Sequence, residues 1–171
     1  SIRSTADFDA ATALINAKQW ERAIPVLEDF RRNFPQHKLS ADVTRKLAVA
    51  YFESNHPGEA AAECERIAAN PAEDPAVQRE AVQQAADLYA RTGNRPKAVT
   101  MLEQLIARYP TPLDPAIEAR QKLAEYALKG DDRVRYERWL QDIIKADAQA
   151  GGARTDRSRV YAARATLVFA E

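Results

Sequence analysis

One cysteine, Cys64, stands in the whole sequence, so no internal disulfide can staple the fold. Glycine is almost as scarce, at five residues, and the Gly151-Gly152 pair has neither the Lys-Ser/Thr ending nor the flanking strand that a phosphate-cradling loop requires. Histidine occurs twice, at His37 and His56. Neither has a partner at metal-ligand or acid–base spacing, and both are expected as exposed turn residues. Cys64 falls where a helical pattern wants a small apolar residue, with no base or positive setting to make it a nucleophile. Neither sign of charge dominates, because 25 Lys and Arg balance 25 Asp and Glu. Such a chain has no global field with which to recruit nucleic acid or a membrane surface. Long apolar runs are missing too, none approaching the roughly 18 residues of a membrane helix. These absences leave no catalytic constellation, so the expectation is a chain that is not an enzyme and needs no cofactor or metal. At 171 residues it can bury a core without such help.

What the sequence does have is regular punctuation. Phe34-Pro35, Asn70-Pro71 and Tyr109-Pro110 each close an apolar-periodic segment. Asp74-Pro75 and Asp114-Pro115 each open the next, read as Asp N-cap followed by Pro at the first helical position. Between these marks, Asn55-His56-Pro57 and Asn94-Arg95-Pro96 open a second helix within each unit. Gly93 and Gly130 fall where a helix end favours a left-handed residue. Val43, Leu47, Ala50 and Tyr51 recur at spacings of three and four, as do Val82, Ala85, Ala86 and Tyr89 one unit later. Sustained alternation is absent and alanine is abundant, so the fold class is all-α.

Overlaying the units gives a period. Ala23, Ala60 and Ala98 each sit near the start of a second helix, and Tyr136 takes that place in a fourth unit; the separations are 37, 38 and 38 residues. A small side chain there lets paired helices cross closely. The order Val82, Ala85, Ala86, Tyr89, Ala98, Leu102, Leu105, Pro110 resembles the tetratricopeptide repeat. Weaker echoes run through Ala10, Ala11, Leu14, Ala23, Leu27, Phe30 and Pro35, and through Leu47, Ala48, Tyr51, Ala60, Cys64 and Ile67. The fourth unit is degenerate. The resemblance implies a right-handed superhelical solenoid of antiparallel helix hairpins. On it, residues 1–171 form a single TPR-like solenoid with hairpins at about 4–38, 41–73, 75–111 and 115–150 and a partial fifth at 155–171. With no initiating Met and an end inside a helical pattern at Leu167–Glu171, the chain is expected to be a fragment of a longer protein.

Function follows from the resemblance only as far as binding. In such solenoids the first helices line a concave groove, and carrying the groove positions over marks Phe8, Ile15, Arg45, Val49, Phe52, Gln83, Asp87, Gln121 and Glu125 as candidates to contact a partner. Phe8, Ile15, Val49 and Phe52 are the expected anchors, being apolar on a face otherwise open to water. The carboxylate clamp of chaperone-binding members is not expected, since Arg45, Val49, Gln83 and Gln84 stand where its cations and amides belong. The stretch Arg32-Asn33-Phe34-Pro35, with Leu39 and Ala41, followed by Leu47-Ala48-Val49-Ala50-Tyr51-Phe52, is similar in style to bacterial cell-envelope members of the family, such as the outer-membrane assembly lipoprotein and the Tol–Pal coordinator.

The expected function is a non-catalytic scaffold that binds a protein or peptide within an envelope complex, in the periplasm or cell envelope of a Gram-negative bacterium. The alternatives are the superhelical arm of a larger cell-wall enzyme, a self-associating spacer joined through the last helix, and a cytoplasmic location. Arg154, Arg157, Arg159 and Arg164 cluster with one aromatic, Tyr161, among them. They read as a solvated helix face and not as a nucleic-acid site.

Overall fold

The structure, a computed structural model, describes residues 1–171 as nine α-helices and no strand. They are α1 (Ile2–Asn16), α2 (Trp20–Asn33), α3 (Ser40–Glu53), α4 (Pro57–Ala69), α5 (Pro75–Arg91), α6 (Arg95–Arg108), α7 (Leu113–Lys129), α8 (Arg133–Ala150) and α9 (Asp156–Ala170). Two compact units divide them, Ser1–Ala98 and Val99–Glu171.

Within the first unit each helix packs on the next, from α1 through α5, and α1 also touches α3. Ala11, Ala23, Leu27, Phe30, Val43 and Leu47 form the N-terminal core, all at or near zero exposure. Ala23 and Ala60, the small residues of the repeat, are fully buried, as close helix crossing requires. In the second unit α7 packs on α8 and both touch α9, around Ile117, Ala124, Leu140, Ile143, Ala162 and Ala165. Tyr136, in the small-residue place of the fourth repeat, packs half-buried against this core.

The turn inside each hairpin repeats as faithfully as the core. Lys18, Asn55, Gly93 and Asp131 all have positive φ, from 57° to 75°. In each turn the left-handed residue donates its N–H to a carbonyl three residues back, and the next residue donates to one five back. Asn55 bonds the Phe52 carbonyl at 3.1 Å and His56 that of Tyr51 at 2.8 Å; Asp131 bonds Leu128 at 3.1 Å and Asp132 bonds Ala127 at 2.9 Å. This pairing satisfies carbonyls that the helix end leaves orphaned. Gly93 has the left-handed conformation expected of it, but Gly130 does not. Its φ is −86°, and Asp131 takes the left-handed place. Helix α7 likewise starts at Leu113, with Asp114 and Pro115 inside its first turn. The first-turn N–H groups have no intrahelical acceptor, so Pro115 is as well tolerated there as at the very first position.

Polar clasps tie consecutive hairpins. The Tyr51 hydroxyl, on α3, donates to the Glu28 carboxylate on α2. One repeat later Tyr89, on α5, donates to Glu65 on α4 at 2.9 Å, with the Lys97 ammonium 3.3 Å from the hydroxyl. Burial, and then the Glu65 carboxylate, hold the Tyr89 phenol above its ordinary pKa. Arg31 on α2 pairs with Glu63 on α4.

The histidines are structural rather than exposed. His37 Nδ1 accepts the Leu39 N–H at 3.1 Å, its Nε2 lies 3.3 Å from Ser4 Oγ, and its ring stands edge-on to Phe30 at 5.3 Å. His56 lies half-buried with its Nδ1 2.9 Å from Ser54 Oγ and its ring edge-on to Tyr51. All four clustered arginines near the C-terminus are exposed, as a solvated face would be, and three of them are paired. Arg154 holds Asp147 at 2.7 Å, Arg157 holds Glu118 at 2.9 Å and Arg159 lies 3.5 Å from Asp156. Asp147 is buried and also accepts from Ser158 Oγ at 2.6 Å. No helix is long and apolar enough to cross a membrane.

Candidate groove between the second and third hairpins

Helix α3 carries Arg45, Val49 and Phe52 at spacings of four and three, which places them along one face. The far side of that face is occupied by Val43, Leu47 and Ala50, all buried. Val49 and Phe52 are therefore turned away from the core, and they remain 46% and 50% exposed. Across from them, α5 presents Gln84, Asp87, Leu88 and Arg91, again one helical face. The space between is a groove of about 400 Å³.

Its wall on α3 is Ala48, Val49, Phe52 and Glu53, and its floor includes Cys64 from α4. The Arg91 guanidinium lies over the Phe52 ring, 5.7 Å from its centroid, so a cation caps one aromatic face. Cys64 is 3% exposed. Burial, and then the charge of neighbouring Glu63, push its thiol up to about 11. The floor of the groove is thus an uncharged S–H that points to the Gln84 carboxamide oxygen at 3.8 Å. A low-dielectric floor, two exposed apolar anchors and a charged rim suit a side chain entering from outside. No group of three or more His, Cys, Asp or Glu is placed to hold a metal ion.

Of the residues marked from sequence, Val49, Phe52 and Asp87 meet in this groove. The others are placed differently. Phe8 and Ile15 are half-buried against the N-terminal core and not free anchors. The Phe8 ring leans on Phe30 at 6.2 Å and lies under the Lys46 ammonium at 5.4 Å, so a neighbouring long side chain has covered it. Arg45 is engaged by Asp42, one turn back, and by Glu73 in the α4–α5 connection. Those contacts, that with Asp42 first, raise its pKa above the ordinary arginine value and occupy the guanidinium. Gln83 stands half-buried beside the groove while Gln84 lines it. Gln121 and Glu125 belong to the second unit, on α7, and hydrogen-bond each other at 3.2 Å.

The groove also uses residues that pattern-matching passed over: Ala48, Glu53, Cys64, Gln84, Leu88 and Arg91. Their signal is present in the helical wheel. Val49 and Phe52 define a face about one residue wide, whereas two helices facing each other across a groove expose a broader arc. That arc takes in the flanking positions 48 and 53 on α3 and 84, 88 and 91 on α5.

Residues 8–75 and residues 80–112 each match sequence models described as Tetratricopeptide repeat. Among solved structures, the chain is similar to two of a kinesin light chain from Podosopora anserina with nearly identical TPR-like repeats. One, a variant, shares 20% identity over 96% of this chain and 85% of that chain, with a TM-score of 0.53. The other shares 19% over 96% and 86%, also at 0.53. At such identity the likeness speaks for the solenoid-type fold alone. No curated protein sequence matches the chain.

Proposed function

We propose, starting from a chain that carries tetratricopeptide repeats, that it is a non-catalytic scaffold whose groove between α3 and α5 receives a segment of a partner protein. Repeats of this kind generally mediate protein–protein interaction through such surfaces. The observation that carries the reading is the pair Val49 and Phe52, half-exposed on the wall of a groove of about 400 Å³. Two large apolar side chains held open to water beside a cavity gain most by being covered. Support for a non-catalytic role comes from the histidines, which are taken up in packing, and from a thiol held neutral.

The test is affinity capture with wild-type protein and a Val49→Asp/Phe52→Asp variant, with helical content checked by circular dichroism. Both side chains are exposed, so the variant should keep its fold. Loss of at least one captured protein supports the groove. Retention of every captured protein removes it. A place in the envelope of a Gram-negative bacterium belongs to the same proposal and rests on the sequence resemblance over residues 32–52; an envelope extract is the material to use.

A second reading has its own observation. Helix α9 exposes Val160, Leu167 and Phe169. Val160 and Leu167, seven residues apart, share one face of that helix. Self-association through it would appear as a mass rising with concentration in light scattering, and Val160→Glu/Leu167→Glu would abolish it.

A further inference from the structure

The groove of the proposed function has a chemistry of its own, and it selects among occupants. Val49, Phe52 and Leu88 supply the apolar surface, and the buried floor cannot hydrate a charge. A partner side chain entering there must be apolar, and about 400 Å³ holds one large side chain with part of its backbone.

The rim carries charged side chains. Three charged residues line the groove, Glu53, Asp87 and Arg91, and Asp87 is already engaged within the fold. Arg91 already lies over the Phe52 ring. Glu53 is exposed at the C-terminal end of α3, and its side chain takes part in no ion pair or hydrogen bond. It is one helical turn from Val49 on the same face, and it lines the groove together with Phe52. A basic residue in the partner would find the Glu53 carboxylate, and an acidic one would be repelled by it.

Resting on the groove reading, we infer that the occupant is a peptide segment with a bulky aliphatic or aromatic side chain, which seats between Val49, Phe52 and Leu88, and a Lys or Arg within a few residues of it, which pairs with Glu53. The cation supplies orientation and selectivity against acidic segments, and the apolar side chain supplies most of the affinity.

The experiment is selection of a random peptide library on phage against the whole chain, with counter-selection against Phe52→Asp. Peptides that depend on Phe52 should share one large apolar residue with Lys or Arg close by. A synthetic peptide of that type should bind Glu53→Lys at least about threefold more weakly in fluorescence anisotropy, the worth of one exposed ion pair. Its affinity for wild type should also fall as salt rises. Glu53 has no partner in the fold, so its substitution leaves the helices intact. Phe52-dependent peptides that are neutral or acidic, or that bind Glu53→Lys unchanged, overturn the inference while leaving the groove standing. Failure to obtain any Phe52-dependent peptide overturns the groove and the inference together.

Discussion

The guanidinium of Arg31 on α2 grips both carboxylate oxygens of Glu63 on α4, at 2.6 and 2.8 Å, joining the second helices of two neighbouring hairpins. Glu63 is only 4% exposed, so its carboxylate relies on that grip in place of water. Arg31→Met should destabilise the protein by about 2 kcal/mol in urea denaturation. That is below the loss for a fully isolated charge, because Arg66 stands 3.8 Å from the same carboxylate and can take up part of it. Arg31→Met/Glu63→Leu should recover all but about 1 kcal/mol of wild-type stability, since the penalty lies in the stranded carboxylate and not in the lost attraction.

The hairpin turns make a graded prediction. Four equivalent places require a left-handed backbone, and they are filled by Lys18, Asn55, Gly93 and Asp131. Lys18→Gly and Asp131→Gly should each raise stability by roughly 0.5–1 kcal/mol, by relieving the crowding of Cβ against the backbone. Gly93→Ala should lower it by about 1 kcal/mol. A Cβ at Gly93 would meet nothing within 4 Å, so the loss would report backbone strain alone. Thermal melts of the three variants rank them.

Asp147 ties the end of α8 to α9 and carries a pH signature. The Arg154 guanidinium foremost, against the opposing effect of burial, and then the Ser158 hydroxyl hold its carboxyl below the ordinary value of 3.8. As pH falls below 3.8 the unfolded chain takes the proton first. The stabilisation is therefore whole above that value and drains away as pH drops through the lower folded pKa. Asp147→Asn should cost about 2 kcal/mol at neutral pH, as for hydrogen bonds to a charged group. The gap to wild type should close on acidification below 3.8, in denaturant titrations run at successive pH values.

Phe8 and Phe52 separate a packing residue from a docking one. Phe8→Ala should destabilise by about 2 kcal/mol, because its ring is wedged against Phe30 and under Lys46. Phe52→Ala, from a ring half in water, should cost less than about 1 kcal/mol in the same urea titration. Binding should show the reverse order, with Phe52→Ala the more damaging.

The hairpins were legible in the sequence because their boundaries are written in residues with strong backbone preferences. Pro57 and Pro75 stand at the first helical positions, and the small Ala23 and Ala60 mark the crossings. Where two residues could serve, sequence was ambiguous. Gly130 looked like the turn residue by composition, but hydrogen-bond register put Asp131 there. The groove was only half legible. A repeat pattern says which face a residue occupies, and Val49, Phe52 and Asp87 do lie along one groove. It does not say what a long neighbour will do, and Lys46 reaching over Phe8 or Glu73 meeting Arg45 depends on three-dimensional proximity across 28 residues or more of chain. His37 shows the same limit: its partner Ser4 lies 33 residues away.

The tyrosine–glutamate clasps bear on how such a protein can lengthen. Glu28 and Glu65 stand one repeat apart, and so do Tyr51 and Tyr89. A gene duplication that copies one whole hairpin brings an acceptor for the tyrosine after it and a tyrosine for the acceptor before it. Both new joints close without further mutation. A duplication that copies half a hairpin leaves one joint without its match, so growth and loss by whole units is the route this architecture leaves open to inheritance.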